Sequence, residues 1–161
     1  MNTQAWIEKS DKYIMKTYGR FPLVPVRGQG CRVWDADGKE YLDFLGGIAV
    51  NNLGHCHPGV VAAIQKQAAQ MIHCSNLYQI PNQIELAELL CKNSFADKAF
   101  FCNSGAEANE AAIKLARKYS RDKFGPERFE IITATDSFHG RTMATVSATG
   151  QEKVQRFFDP L

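Results

Sequence analysis

Lys98-Ala99-Phe100-Phe101-Cys102-Asn103-Ser104-Gly105-Ala106-Glu107-Ala108-Asn109-Glu110 runs from a short apolar stretch into a capping signal and then into a long periodic segment. Residues 98–102 read as a buried strand, and Gly105 to about Lys123 as a helix. Phe129-Glu130-Ile131-Ile132-Thr133-Ala134 reads as a second strand. Strand, helix and strand make a βαβ unit. Such crossovers are overwhelmingly right-handed, so the expectation is two parallel strands covered by helices, with a ligand crevice at their carboxyl ends.

Upstream, Pro81 opens a helix carrying Ile84, Leu86, Leu89 and Leu90, and Pro58 opens another to about His73 with Val61, Ile64, Ala68 and Met71 on one face. Proline suits a first helical position because the amide it lacks has no partner there. The stretch Gly46 to Gly54 is a glycine-flanked apolar connector. Cys31-Arg32-Val33-Trp34 and Glu40-Tyr41-Leu42-Asp43-Phe44 read as two short strands around an Asp35-Ala36-Asp37-Gly38 turn. Thr3 to about Tyr18 has loosely helical apolar spacing, which Phe21-Pro22-Leu23-Val24-Pro25 breaks.

With 45% hydrophobic and 22% charged residues in 161, the composition is that of an ordinary globular domain, neither disordered nor fibrous. The 19 basic and 17 acidic side chains are interspersed, so no clustered footprint for nucleic acid or anionic lipid exists. No apolar run approaches the roughly 20 residues of a membrane helix, and Met1 to Ser10 lacks the order of a signal peptide, so the expected location is the cytoplasm. Five cysteines without a C-x-x-C pair indicate reduced thiols rather than a disulfide framework. His55-Cys56-His57 with His73-Cys74 matches no common zinc spacing, and no metal site is expected. No G-x-S-x-G elbow, Walker loop or G-x-G-x-x-G occurs; Gly28-Gln29-Gly30 lacks the third glycine.

Two segments are left to carry chemistry. Ser104 with Glu107 three residues on is a capping box, which by itself stabilises a helix by about 1 kcal/mol and needs no ligand. The same sequence also suits an anion, because Gly105 and Ala106 leave the first-turn amides uncovered at the positive end of the helix dipole. Asp136-Ser137-Phe138-His139-Gly140-Arg141-Thr142 follows the second expected strand and falls at the same end of the sheet. Phe138 suits stacking on a flat ring and Arg141 suits two-point binding of a carboxylate. The plain alternatives are that Phe138 is core and Arg141 a surface ion-pair residue.

These segments, with Gly54-His55-Cys56-His57-Pro58 upstream, resemble the class III pyridoxal-phosphate aminotransferases, and the resemblance runs through essentially the whole chain in five or six ordered motifs. Phe138 to Thr145 and Ala148-Thr149-Gly150-Gln151 most resemble the branch acting on N-acetylornithine. His139 favours that branch, since members acting on free ornithine carry tryptophan there. The resemblance implies an α/β fold of fold type I, with a parallel-sheet large domain and a small α+β domain. Residues 1–57 would contribute to the small domain and residues 58–161 would begin the large one. By motif, Ser104, Gly105 and Ala106 match the residues around the cofactor phosphate of pyridoxal 5′-phosphate, Phe138 the residue against the pyridine ring, and Arg141 the residue receiving the substrate α-carboxylate. The implied reaction exchanges an amino group between N-acetylornithine and 2-oxoglutarate/glutamate, in arginine biosynthesis, on a homodimer without nucleic-acid or membrane partners. Succinylornithine, succinyldiaminopimelate, ornithine and 4-aminobutyrate are the substrates of related members.

The family also needs a lysine that bonds the cofactor and an aspartate that keeps its ring nitrogen protonated. Both belong to the family's later half, and no lysine from Lys9 to Lys153 stands in the matching context. The expectation is an N-terminal part of an aminotransferase with no catalytic residue of its own, inactive alone. A non-catalytic module holding a phosphorylated ligand, or an inert remnant docked on a complete subunit, are the alternatives.

Overall fold

Asn2 starts the chain's order: its side chain accepts from the Ala5 amide at 2.9 Å and caps helix α1, Thr3–Tyr13. The computed structural model describes residues 1–160, which divide into a unit from Met1 to Gln79 and a second from Ile80 onward. Helix α1 ends five residues before the expected Tyr18, where Ile14 turns to extended backbone.

The first unit is organised by a three-stranded antiparallel meander in the order β1 (Pro25–Gln29), β2 (Arg32–Asp35) and β3 (Glu40–Leu42). The β2–β3 hairpin falls where the Asp-Gly turn was expected. Asp35, buried, is its pivot: one carboxylate oxygen accepts from the Asp37 and Lys39 amides at 3.0 and 2.9 Å, the other from the Tyr41 hydroxyl at 2.8 Å. The Tyr41 hydroxyl and these amides hold Asp35 below the usual carboxylate range, and Asp35 in turn pushes the Tyr41 phenol up. Strand β1 was not read from sequence, where Pro25 closes the break at residues 21–25. It forms because Arg27 pairs with Trp34 across the ladder, its guanidinium 4.4 Å from the indole centroid.

The glycine-flanked connector becomes a tight turn, α2 (Gly46–Ala49), whose Ile48 and Ala49 have φ of 60° and 62°. Asp43 anchors its entrance by accepting from the Leu45 and Gly46 amides at 2.8 and 2.9 Å, and His55 Nε2 donates to the same carboxylate at 2.6 Å. These donors, His55 first, lower the Asp43 carboxyl. His55 also exchanges both backbone hydrogen bonds with Gly30. Helix α3 then runs Pro58–Ala68 with proline in its first turn. It ends short of the expected His73, and just past its end the Gln67 side-chain amide donates to the Met71 carbonyl at 2.8 Å.

The second unit contains α4 (Pro81–Lys92), α5 (Gly105–Phe124), α6 (Met143–Ala148) and α7 (Glu152–Gln155). The expected parallel strands are a correction. Neither residues 98–102 nor residues 129–134 form a strand, and the parallel contact present is a single bridge between Thr135 and Gly150. An extended segment becomes a strand only when a neighbouring backbone completes its ladder, and the described residues offer these two segments none. Phe100 and Ile132 are accordingly exposed. What is buried in this unit lies downstream: Thr145 and Val146 within α6, Thr149 at its C-cap, and Gly140 against Thr145. Arg117 Nε donates to the Phe129 carbonyl at 3.2 Å and ties the second extended segment to α5.

Candidate active site

Helix α5 begins as the sequence requires. Ser104, extended at φ −155° and ψ 162°, is its N-cap, and its hydroxyl accepts from the Glu107 amide at 3.2 Å. Glu107 makes its short hydrogen bonds beyond Ser104, which acts on its carboxylate only more weakly. Its carboxylate reaches one residue further back and accepts from the Asn103 backbone amide at 2.6 Å and side-chain amide at 3.2 Å. Hydrogen bonding to Asn103 holds the Glu107 carboxyl below its ordinary range, so it is ionised at neutral pH. The first backbone bond of the helix joins the Ala108 amide to the Ser104 carbonyl. The Gly105 and Ala106 amides precede it and have no intrahelical acceptor. A Cβ built on Gly105 would meet nothing within 4 Å, so the first turn faces open space. An anion placed there can accept from these amides and gains from the helix dipole.

The loop at residues 136–142 is laid on the same helix. Its base is the Thr135–Gly150 bridge and a 2.8 Å bond from the Asp136 amide to the Gly150 carbonyl. His139 is held on both sides of its backbone: its amide donates to Thr149 Oγ1 at 3.0 Å, and its carbonyl accepts from Asn109 Nδ2 at 2.7 Å. Gly140 follows at φ +133°, where a Cβ would lie 2.7 Å from both Ala106 Cβ and Thr145 Oγ1. Only glycine combines that backbone angle with that approach to α5. Thr142 then caps α6 in a reciprocal capping box with Thr145, and its hydroxyl donates to the Glu110 carboxylate.

The Gly140–Ala106 contact thus joins the two segments that carry the sequence-expected residues. Ser104, Gly105 and Ala106 form the helix entrance, and Phe138 and Arg141 flank the point where the loop touches it. Phe138 is 56% exposed, so its ring is not packed into the core that the described residues form. The Arg141 guanidinium carbon lies 6.0 Å from the Phe138 ring centroid, so cation and ring are neighbours on the exposed side of the loop.

Sequence reasoning missed Asn109, Glu110, Thr142, Thr145 and Thr149. Thr142-x-x-Thr145 was visible as a second capping pattern, whereas the reach of Asn109 to residue 139 has no sequence signal. His55, considered as a metal ligand, is occupied by Asp43. Among the described residues no group of three or more His, Cys, Asp or Glu side chains is placed to hold a metal ion. All five cysteines are free.

Residues 13–161 match the family model of the class III aminotransferases. The acetylornithine aminotransferase of Caldanaerobacter subterraneus subsp. tengcongensis is 61% identical over 150 residues, 93% of this chain and 38% of the relative. The crystal structure of the Toxoplasma gondii ornithine aminotransferase superposes with a TM-score of 0.93 at 29% identity, covering 100% of this chain and 38% of that one. The acetylornithine aminotransferase of Elizabethkingia anophelis superposes with a TM-score of 0.74 at 38% identity, covering 78% of this chain and 33% of that one. The chain therefore spans roughly two fifths of the length of the curated relatives it matches and shares their α/β, fold-type-I architecture over that span. A capped helix entrance beside a clamped aromatic-arginine loop, together with these likenesses, shows that the chain belongs to the class III aminotransferase family.

Proposed function

We propose that this chain supplies the phosphate-binding and carboxylate-binding part of an enzyme that moves the δ-amino group of N-acetylornithine to 2-oxoglutarate, giving glutamate, with pyridoxal 5′-phosphate as cofactor, in cytoplasmic arginine biosynthesis. The observation that carries the reading is the juxtaposition of an uncovered helix N-terminus with the Phe138–Arg141 loop, fixed by the Gly140–Ala106 contact. The residues present fit the group: the Gly105 and Ala106 amides, with the Ser104 hydroxyl beside them, would donate to its phosphate, and the exposed ring of Phe138 would lie against its pyridine face. Arg141 would take the substrate α-carboxylate through two parallel hydrogen bonds, a geometry that lysine does not offer. When bound, the cofactor supplies the electron-withdrawing ring and the carbonyl that takes up the amino group. The covalent and protonating partners, the lysine and the aspartate, come from outside these residues in this reading. Residues 1–57 then belong to the small domain and residues 58–161 to the large one, in a homodimer. The acetylated substrate is favoured over free ornithine by His139 and by the name that the sequence relatives carry.

The test is an absorption titration of the purified chain with pyridoxal 5′-phosphate. Saturable binding that inorganic phosphate displaces, that Gly105→Asp abolishes and that Arg141→Ala leaves intact is the expected result. Equal binding by Gly105→Asp would show that the α5 entrance is not the phosphate site.

A further inference from the structure

Arg141 is the residue on which substrate binding turns in the reading above, and an arginine on an exposed loop holds a carboxylate well only if its backbone is fixed. The four-residue span from His139 to Thr142 is fixed at both ends from one place. Asn109 Nδ2 donates to the carbonyl just before Gly140 at 2.7 Å, and the neighbouring Glu110 carboxylate accepts from the hydroxyl of the residue just after Arg141. Both helical residues are half-buried, and their partners lie 30 and 32 positions away in sequence. Neither bond is needed by α5 itself, whose cap is complete at Ser104 and whose backbone bonds run independently.

We propose that Asn109 and Glu110 are positioning residues: from adjacent places in the second turn of α5 they clamp the two ends of the His139–Thr142 span and so fix the backbone that presents Arg141 to a carboxylate. The two side chains do different work. Asn109 must donate, since its partner is a carbonyl, whereas Glu110 must only accept. Asp at position 109 fails because it sets a carboxylate against the carbonyl; Gln at 110 succeeds because its carbonyl oxygen still accepts from Thr142. The inference rests on the assignment of Arg141 to a substrate carboxylate.

The experiment uses this chain with Asn109→Ala, Glu110→Ala, Glu110→Gln and Arg141→Ala. Amide hydrogen exchange is read at His139 and Thr142, with the Ile113–Tyr119 amides of α5 as an internal control. Losing either clamp is expected to accelerate exchange at His139 and Thr142 by about tenfold while the α5 amides hold, and Glu110→Gln is expected to match the unsubstituted chain. Affinity is read with two probes, pyridoxamine 5′-phosphate and the reduced adduct in which the δ-nitrogen of N-acetyl-L-ornithine carries the 5′-phosphopyridoxyl group, of which only the second carries the substrate α-carboxylate. The ratio of the two affinities should fall about tenfold in both clamp variants and in Arg141→Ala, with the first probe bound as before. If Arg141→Ala collapses the ratio and the clamp variants do not, the inference is wrong and the reading of Arg141 stands. If Arg141→Ala leaves the ratio unchanged, or the unsubstituted chain binds neither probe, that reading fails and takes the inference with it. Accelerated exchange throughout α5 would show that Asn109 and Glu110 merely hold the helix, which also overturns the proposal.

Discussion

The turns of the first unit are held by carboxylates, whereas the middle of the second unit's loop is held by neutral groups and a carboxylate, Glu110, enters only at its Thr142 end. Asp35 gathers two amides and a phenol, and Asp43 gathers two amides and an imidazole. The hub around Thr149 instead joins a hydroxyl to the His139 amide and the Thr145 carbonyl, with the Asn109 amide completing it. A carboxylate can satisfy several donors at once, at the cost of sensitivity to protons. A buried threonine satisfies one donor and one acceptor and does not titrate. The two units should therefore fail by different routes, the first in acid and the second by packing faults.

The sharpest break is expected from Gly140→Ala, which forces a methyl into Ala106 and Thr145; it should destabilise the second unit by about 3 kcal/mol in urea unfolding. A change within 0.5 kcal/mol, on the order of an ordinary surface substitution, would mean that the loop does not rest on α5. Thr149→Val comes next. It keeps the shape but leaves the His139 amide unpaired, while the Thr145 carbonyl keeps the Thr149 backbone amide, for a loss of about 2 kcal/mol with no dependence on pH; a pH-dependent loss would blur the contrast between the units.

Acid is the matching probe of the first unit. Asp35 and Asp43 are depressed by their donors, so their contribution is complete above the ordinary Asp range, about pH 4, and disappears as pH falls through the lower folded values. Tyr41 is raised, so its contribution is lost only at high pH, above about 10. Both tryptophans, Trp6 and Trp34, lie in the first unit, so their fluorescence reports it alone. An acid titration should show that signal changing before Thr149-dependent protection is lost, and Asp43→Asn should flatten the acid limb; superimposable acid curves for the two proteins would remove Asp43 from the account. The smallest effect belongs to Arg141→Ala, whose side chain is exposed: stability should move by less than about 0.5 kcal/mol, measured by the same urea titration, so that any loss of carboxylate binding is a binding effect.

What was legible in the sequence was what is local. The Asp35–Gly38 turn, Pro58 and Pro81 at helix starts, and α5 from Gly105 all follow from signals within four residues of one another. The first strand was hidden by its own residues, since Pro25 reads as part of a break and Gly28-Gln29-Gly30 carries no strand signal until Trp34 gives Arg27 a partner across the ladder. Residues 98–102 and 129–134 have strand-like composition, but a ladder is a property of two segments, and nothing in a single run shows its partner. The candidate site divides in the same way. Ser104, Gly105, Ala106, Phe138 and Arg141 stand in recognisable runs, while Asn109 and Glu110 reach across some thirty residues to a loop whose course only the fold determines.

The contact between Gly140 and Ala106 also limits how such a site can change by mutation. Position 106 cannot gain even a branched side chain unless the loop lifts, and position 140 cannot gain a methyl unless the helix recedes. Single substitutions are therefore blocked on both sides, and a viable route needs coordinated changes at two places 34 positions apart. Variation that alters what the loop recognises has an open path at Phe138 and Arg141, whose side chains are exposed. Altering the preference of a protein built this way means re-dressing its fixed hinge rather than re-bending it.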